Sequence, residues 1–224
     1  PEMKSQEVAQ RRNAREEAKI AWQAALESGN MQEARKQAMR STQINEEIIE
    51  SSKQLLDVLG VPVLQARSEG EALCSSLVSN SKAYAAASQD YDTLLFGCPR
   101  LVRNLSITGK KKRGNSVVVI EPEMIILKNV LEDLGINQNQ LICIGILVGT
   151  DFNEGIKGVG PKTALKLIKS HGSLESLPDR YQGDLPRNVG EVREIFLEPA
   201  VTTDYSIQFT GLKEQELRKL LPVM

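Results

Sequence analysis

A chain of 224 residues with 41% apolar content can bury a sizeable core, as one large domain or two small ones. Lys plus Arg (28) nearly balances Asp plus Glu (29), so net charge carries no signature of nucleic-acid binding and any basic site must arise by local clustering. Three scattered cysteines without C-x-x-C spacing exclude a zinc motif or a disulfide framework, and a single histidine, His171, excludes histidine triads and His-rich metal sites. With no apolar run near the roughly 20 residues of a membrane span, an intracellular protein is expected.

In chain order, residues 1–28 are charged and alanine-rich up to Gly29, and residues 31–59 repeat that habit up to Gly60, which predicts a helical hairpin or arm. A short extended piece, "VLQA", is followed by a helix opened by Ser68 and a small-residue strand, "AYAAAS". "RLVRNLSI" and "SVVVIE" read as two strands of a hairpin joined by the basic loop "TGKKKRGN". A helix is expected from Pro122 to Gly135, and another begins after Asn137, where Gln140 completes a capping box. Beyond residue 150 the chain reads as helical and glycine-punctuated, then irregular, then helical again at "KEQELRKLL". The pattern predicts a helical arm over 1–60, an α/β core over 61–150 and a small helical module over 151–224.

Two carboxylate pairs stand out. Glu69 and Glu71 flank one glycine in "RSEGEA", and Asp90 and Asp92 flank one tyrosine in "SQDYDTLL". Two residues apart within a helix would point about 200° apart, so the glutamates can act together only at a helix start. There the bland reading is a capping box, with Ser68 as N-cap and Glu71 as its third residue. The aspartates follow a strand; extended chain would project both from one face, and an Asx-type turn is the bland alternative. A fifth acid, Asp151, ends "ILVGTD". Such carboxylates would repel one another unless a cation neutralised them. All-oxygen donors suit Mg²⁺ or Mn²⁺, and a pair of such ions roughly 3.5 to 4 Å apart serves in-line phosphoryl displacement.

"GIKGVGPKTALKLIKSHG" adds a second signal. Gly158 and Gly160 permit a tight turn, Pro161 suits the first helical residue, and the amides that follow, with Lys157, Lys162 and Thr163, would face a phosphate. A nucleotide-binding P-loop does not fit, because Pro161 separates Gly160 from Lys162 and no strand leads in. Backbone contacts of this kind read nucleic-acid shape and weaken with salt.

"QARSEGEA", "AAASQDYDTLLFG", "RLVRNLSITGK", "ILVGTDFN" and "GIKGVGPKTALKLI", in this order, resemble the flap endonucleases of the structure-specific 5′-nuclease (XPG/Rad2-like) family, archaeal ones especially. The resemblance implies a PIN-like α/β core, a central sheet flanked by helices, with a helical gateway and a helix-hairpin-helix-type module. It implies that Glu69, Glu71, Asp90, Asp92 and Asp151 bind two Mg²⁺ ions, with Mn²⁺ a substitute, and that the hairpin holds duplex DNA, with K⁺ there. Lys4 and Arg11 match gateway residues that steer the scissile phosphate. It implies a monomer acting on branched or flap DNA in replication and repair. Family members carry an N-terminal segment with further metal-binding aspartates and a tail that docks on the sliding clamp. Neither is matched here, so weak or absent cleavage is expected of the chain alone. A non-catalytic junction binder and a sibling 5′-exonuclease are the alternatives.

Overall fold

The computed structural model of the protein describes residues 5–41, 44–106, 109–113 and 116–221. The chain divides into two compact units, Pro1–Gln65 with Asp204–Met224, and Ala66–Thr203. The α/β stretch and the glycine-punctuated module share one unit, while the last residues join the N-terminal helices.

In the first unit, helix α1 (Ser5–Glu27) packs against α2 (Met31–Ser41). Ala18, Ala25 and Ala34 are buried, and their small side chains let the helices approach closely. Helix α3 (Glu46–Val58) is started by Asn45, whose side chain accepts from the Ile48 amide at 2.9 Å. The single helix expected over 31–59 is therefore two. Beyond α3 the chain turns at Gly60, whose φ of 75° lies in the left-handed region. Its carbonyl accepts from the Thr210 amide at 3.0 Å, the Lys213 amide reaches the Val58 carbonyl at 2.9 Å, and Lys213 Nζ pairs with Asp57 at 2.8 Å. These bonds seat the short helix α11 (Glu214–Leu220) beside α3.

The second unit opens with α4 (Gly70–Ser79), the two-residue strand β1 (Ala86–Ala87), the single-turn helix α5 (Asp92–Leu95) and β2 (Arg100–Arg103). Residues 63–66, expected to be extended, lie in no strand. The strands β3 (Gly109–Arg113), β4 (Ser116–Ile120) and β5 (Glu123–Ile126) follow. Strand β2 lies between a parallel β1 and an antiparallel β5, whereas β4 pairs with β3. Within the basic stretch read as a loop, Gly109–Arg113 form a strand, and among the described residues the expected pairing of "RLVRNLSI" with "SVVVIE" is replaced by those of β2 with β5 and β3 with β4. The helix expected from Pro122 starts late, because Met124 and Ile125 pair with β2, and Ile125 packs on the Leu94, Leu101 and Leu127 cluster.

Helix α6 (Leu127–Leu134) leads to α7 (Gln138–Val148), which begins with the Asn137–Gln140 capping box expected from sequence. A two-stranded turn, β6 (Gly149–Thr150) and β7 (Asn153–Glu154), connects α7 to α8 (Pro161–His171). Two further helices, α9 (Asp179–Gln182) and α10 (Val189–Leu197), complete the unit. Ile142, Ile146 and Leu147 of α7 are fully buried, as are Ile168 of α8 and Val192 of α10. Beyond its polar first turn, helix α7 is apolar on every face, in keeping with the packing of α5, α8 and α10 on it. Arg193 of α10 bonds Glu175 at 2.7 Å; the Glu175 carboxyl is held below its ordinary value by its own amide, then by the Ser173 hydroxyl and Arg193. Among the described residues no helix is long and apolar enough to cross a membrane.

A Cβ added at Gly60 would lie 2.1 Å from the Thr210 carbonyl oxygen, at a φ that disfavours any side chain. Gly60→Ala is expected to lose about 2 kcal/mol of stability in urea unfolding and to speed proteolysis within residues 204–212. Unchanged values would show that this segment is not seated on Gly60.

Candidate metal and nucleic-acid site

Helix α4 starts one residue later than a Ser68 cap would place it. Glu69 is the N-cap, with φ −87° and ψ 130° and no side-chain capping bond. The capping-box reading of Ser68 and Glu71 is thereby overturned, and Glu71 stands on the first turn, half-buried. Asp90 and Asp92 do not project from extended chain either. Strand β1 ends at Ala87, Asp90 sits in the turn that follows, and Asp92 is the first residue of α5. The turn is fixed from both directions: the Asp90 amide donates to Ser88 Oγ at 3.1 Å, and Thr93 Oγ1 donates to the Asp90 carbonyl at 3.2 Å.

Ser75 ties the two acidic segments together. Its Oγ lies 2.7 Å from the Glu71 carbonyl oxygen and 3.2 Å from that of Thr93. Ser75 and Thr93 are buried, at 2% and 0% exposure, so no water competes for these bonds. The first turn of α4 is thereby held against the first turn of α5.

Asp151 reaches the same unit by another route. It occupies the turn between β6 and β7 beside Phe152, which is buried. The turn is closed by Thr150 Oγ1 bonding Asn153 Oδ1 at 2.8 Å and by Asn153 Nδ2 donating to the Ile146 carbonyl at 2.9 Å. The Phe152 ring meets Phe196 edge-on at 5.5 Å, and Phe196 meets Phe96 at 4.9 Å. Phe96 is the C-cap of α5. The aromatic contacts therefore connect the helix begun by Asp92 to the turn that carries Asp151. Nothing in the local sequence announces this link, since Phe196 lies in the stretch where the pattern fades.

The structure brings the acid-bearing elements together in one unit. Among the described residues, no group of three or more His, Cys, Asp or Glu side chains stands close enough to hold a metal ion. The donor chemistry nevertheless suits a hard cation. Cys74, exposed at the surface of α4, lies near Glu71, and partial burial of its thiol first, then the Glu71 charge, push that thiol up from the ordinary value. Lys4 lies outside the described residues. Arg11 is exposed on α1, in the other unit.

The turn and helix that follow Asp151 present a donor-rich surface. Gly158 has a φ of 84°, which a side chain would strain, and Lys157, Gly158, Gly160, Lys162 and Thr163 are all exposed. Gly160 caps α8 without a side-chain acceptor and Pro161 fills the first position, so the amides of Lys162 and Thr163 are aligned with the positive end of the helix.

The model of the XPG I-region matches residues 60–151. Flap endonuclease 1 of Pyrococcus horikoshii is 47% identical over 224 residues, 99% of this chain and 64% of that protein. That of Staphylothermus marinus is 44% identical over 99% of this chain and 64% of its own length. The chain thus spans a little under two thirds of these relatives. Among solved structures, flap endonuclease-1 from Methanococcus jannaschii superposes with a TM-score of 0.69 at 38% identity, covering 86% of this chain and 57% of that one. The catalytic core of Rad2 in complex with DNA substrate gives a TM-score of 0.65 at 20% identity, covering 85% and 67%, and shares the fold. The chain is accordingly similar over nearly all of its length to flap endonucleases, residues 60–151 match the XPG I-region, and the second unit has the mixed α/β, PIN-like fold of these neighbours.

Proposed function

We propose that the chain forms the metal-binding and DNA-gripping part of a structure-specific 5′ flap endonuclease that hydrolyses DNA phosphodiesters in replication and repair. The observation that carries this reading is the joint anchoring of the acidic segments, through Ser75 between Glu71 and Thr93 and through Phe196 between Phe96 and Phe152. Glu69, Glu71, Asp90, Asp92 and Asp151 would hold two divalent ions, Mg²⁺ with Mn²⁺ as substitute, by oxygen donors alone. When bound, such ions supply an activated water and neutralise charge on the leaving oxygen.

The remaining chemistry belongs to the protein. Lys157, the amides of Lys162 and Thr163 and the open turn at Gly158 would track a duplex backbone, with K⁺ as an added bridge to phosphate. Lys4 and Arg11 would orient the scissile phosphate. Branched DNA is the substrate, the sliding clamp is a partner of the full-length protein, and the working form is an intracellular monomer.

The second reading is a junction-binding protein that grips DNA without cutting it. A sibling 5′-exonuclease would use the same residues.

The decisive assay is cleavage of a labelled 5′-flap duplex, with and without Mg²⁺, by the chain alone and supplemented with the portion of the Pyrococcus horikoshii relative that it does not span. Asp90→Asn and Asp92→Asn should each slow metal-dependent cutting by roughly a hundredfold or more, with binding of the flap retained. Binding without cutting under every condition would favour the junction binder. Separately, Lys162→Ala should weaken duplex affinity alike for all sequences and reduce the slope of log affinity against log salt by about one. A sequence-dependent loss would contradict a backbone grip.

A further inference from the structure

We propose that Arg103 is a positioning residue that presets the direction of Asp90 and Asp92, an inference that rests on the metal-binding reading of those aspartates. Strand β1 contributes only two residues to its ladder with β2, Ala86 opposite Leu101 and Ala87 opposite Val102, and one more bond from the Ser88 amide to the Val102 carbonyl at 3.2 Å. So short a strand cannot by itself fix the turn that leaves it. The next residue of β2 takes over where the ladder stops. Arg103 Nε donates to the Gln89 carbonyl at 3.2 Å, its terminal nitrogen donates to the Tyr91 hydroxyl, and its guanidinium carbon lies 4.1 Å from the Tyr91 ring centroid.

These contacts fall on the residues immediately before and after Asp90, and Tyr91 is also the N-cap of α5 and so adjoins Asp92. A planar guanidinium can stack and fork at once, which a lysine cannot. The other end of β1 is tied in the same way, with Arg100 donating to the Tyr84 carbonyl and lying 4.7 Å from the Tyr84 ring centroid. That pair leads to no acid, so it is the internal control: the same kind of clamp, on the same strand, away from the carboxylates.

Arg103 thus acts through Gln89 and Tyr91, not on the metal or substrate. Residues that orient a ligand from behind typically set metal affinity by ten- to a hundredfold. The test compares Arg103→Ala, Arg103→Lys, Tyr91→Leu, Tyr91→Phe and Arg100→Ala in the full chain. Two readouts are used, amide hydrogen exchange over residues 88–93 and Mn²⁺ affinity by electron paramagnetic resonance. Arg103→Ala, Arg103→Lys and Tyr91→Leu should speed exchange over 88–93 and weaken Mn²⁺ about tenfold. Tyr91→Phe, which keeps the platform, should stay within a few-fold of wild type, and Arg100→Ala should leave Mn²⁺ affinity unchanged. Unaltered exchange in Arg103→Ala, or faster exchange with unaltered Mn²⁺ affinity, overturns the proposal. If Asp90→Asn leaves Mn²⁺ affinity at the wild-type value, the metal-binding reading itself has failed, and the exchange data then report the clamp alone.

Discussion

The Ser75 hydroxyl lies between the carbonyls of Glu71 and Thr93, and the placement of the acidic segments depends on it. A hydrogen bond of this kind contributes only about 1 kcal/mol net, because water would satisfy the same groups in the unfolded chain. Its leverage comes from burial. With Ser75 and Thr93 almost wholly shielded, water cannot take the place of a lost hydroxyl, so the side-chain tie between α4 and the start of α5 goes with it, although the Thr93 carbonyl keeps its bond from the Cys98 amide at 3.2 Å. Glu71 lies one turn before Ser75, and Asp92 lies immediately before Thr93. The contact that joins α4 to α5 therefore also fixes the backbone from which these two acids project.

A second constraint works through packing. Phe196 comes from α10, remote in sequence from both acidic turns, and its ring fills the space between Phe96 and Phe152. Arg193, one turn earlier on the same helix, fixes Glu175 in the segment after α8. Helix α10 thus ties the Asp151 turn, the end of α5 and the segment that follows α8 together. The stretch that looked least informative in sequence performs this task.

Local chemistry was legible where it was self-contained. The Asn137–Gln140 capping box and the proline-started α8 are both decided within a few residues, and each stands as expected. The strands were misread because pairing is not local. Nothing in "GKKKR" favours a strand, yet β4 takes it as partner, while β2 finds its own in residues read as helix. Ser68 had the better capping side chain, but the helix begins at Gly70, leaving Glu69 at the boundary. The five acids were recognisable by type and spacing, whereas their supports were not. Ser75, four residues after Glu71, gave one usable hint, since a serine inside a helix commonly bonds back to the preceding turn. Arg103 and Phe196 gave none.

The central claim is that residues 69–71, 90–92 and 150–152 serve one divalent-ion site. Paramagnetic broadening of backbone amide resonances on adding Mn²⁺ addresses it directly, because the effect falls steeply with distance from the ion. The account predicts that all three segments broaden together at the same low Mn²⁺ concentration, and that excess Mg²⁺ reverses it. Broadening of one segment alone, or at scattered surface carboxylates, would contradict it.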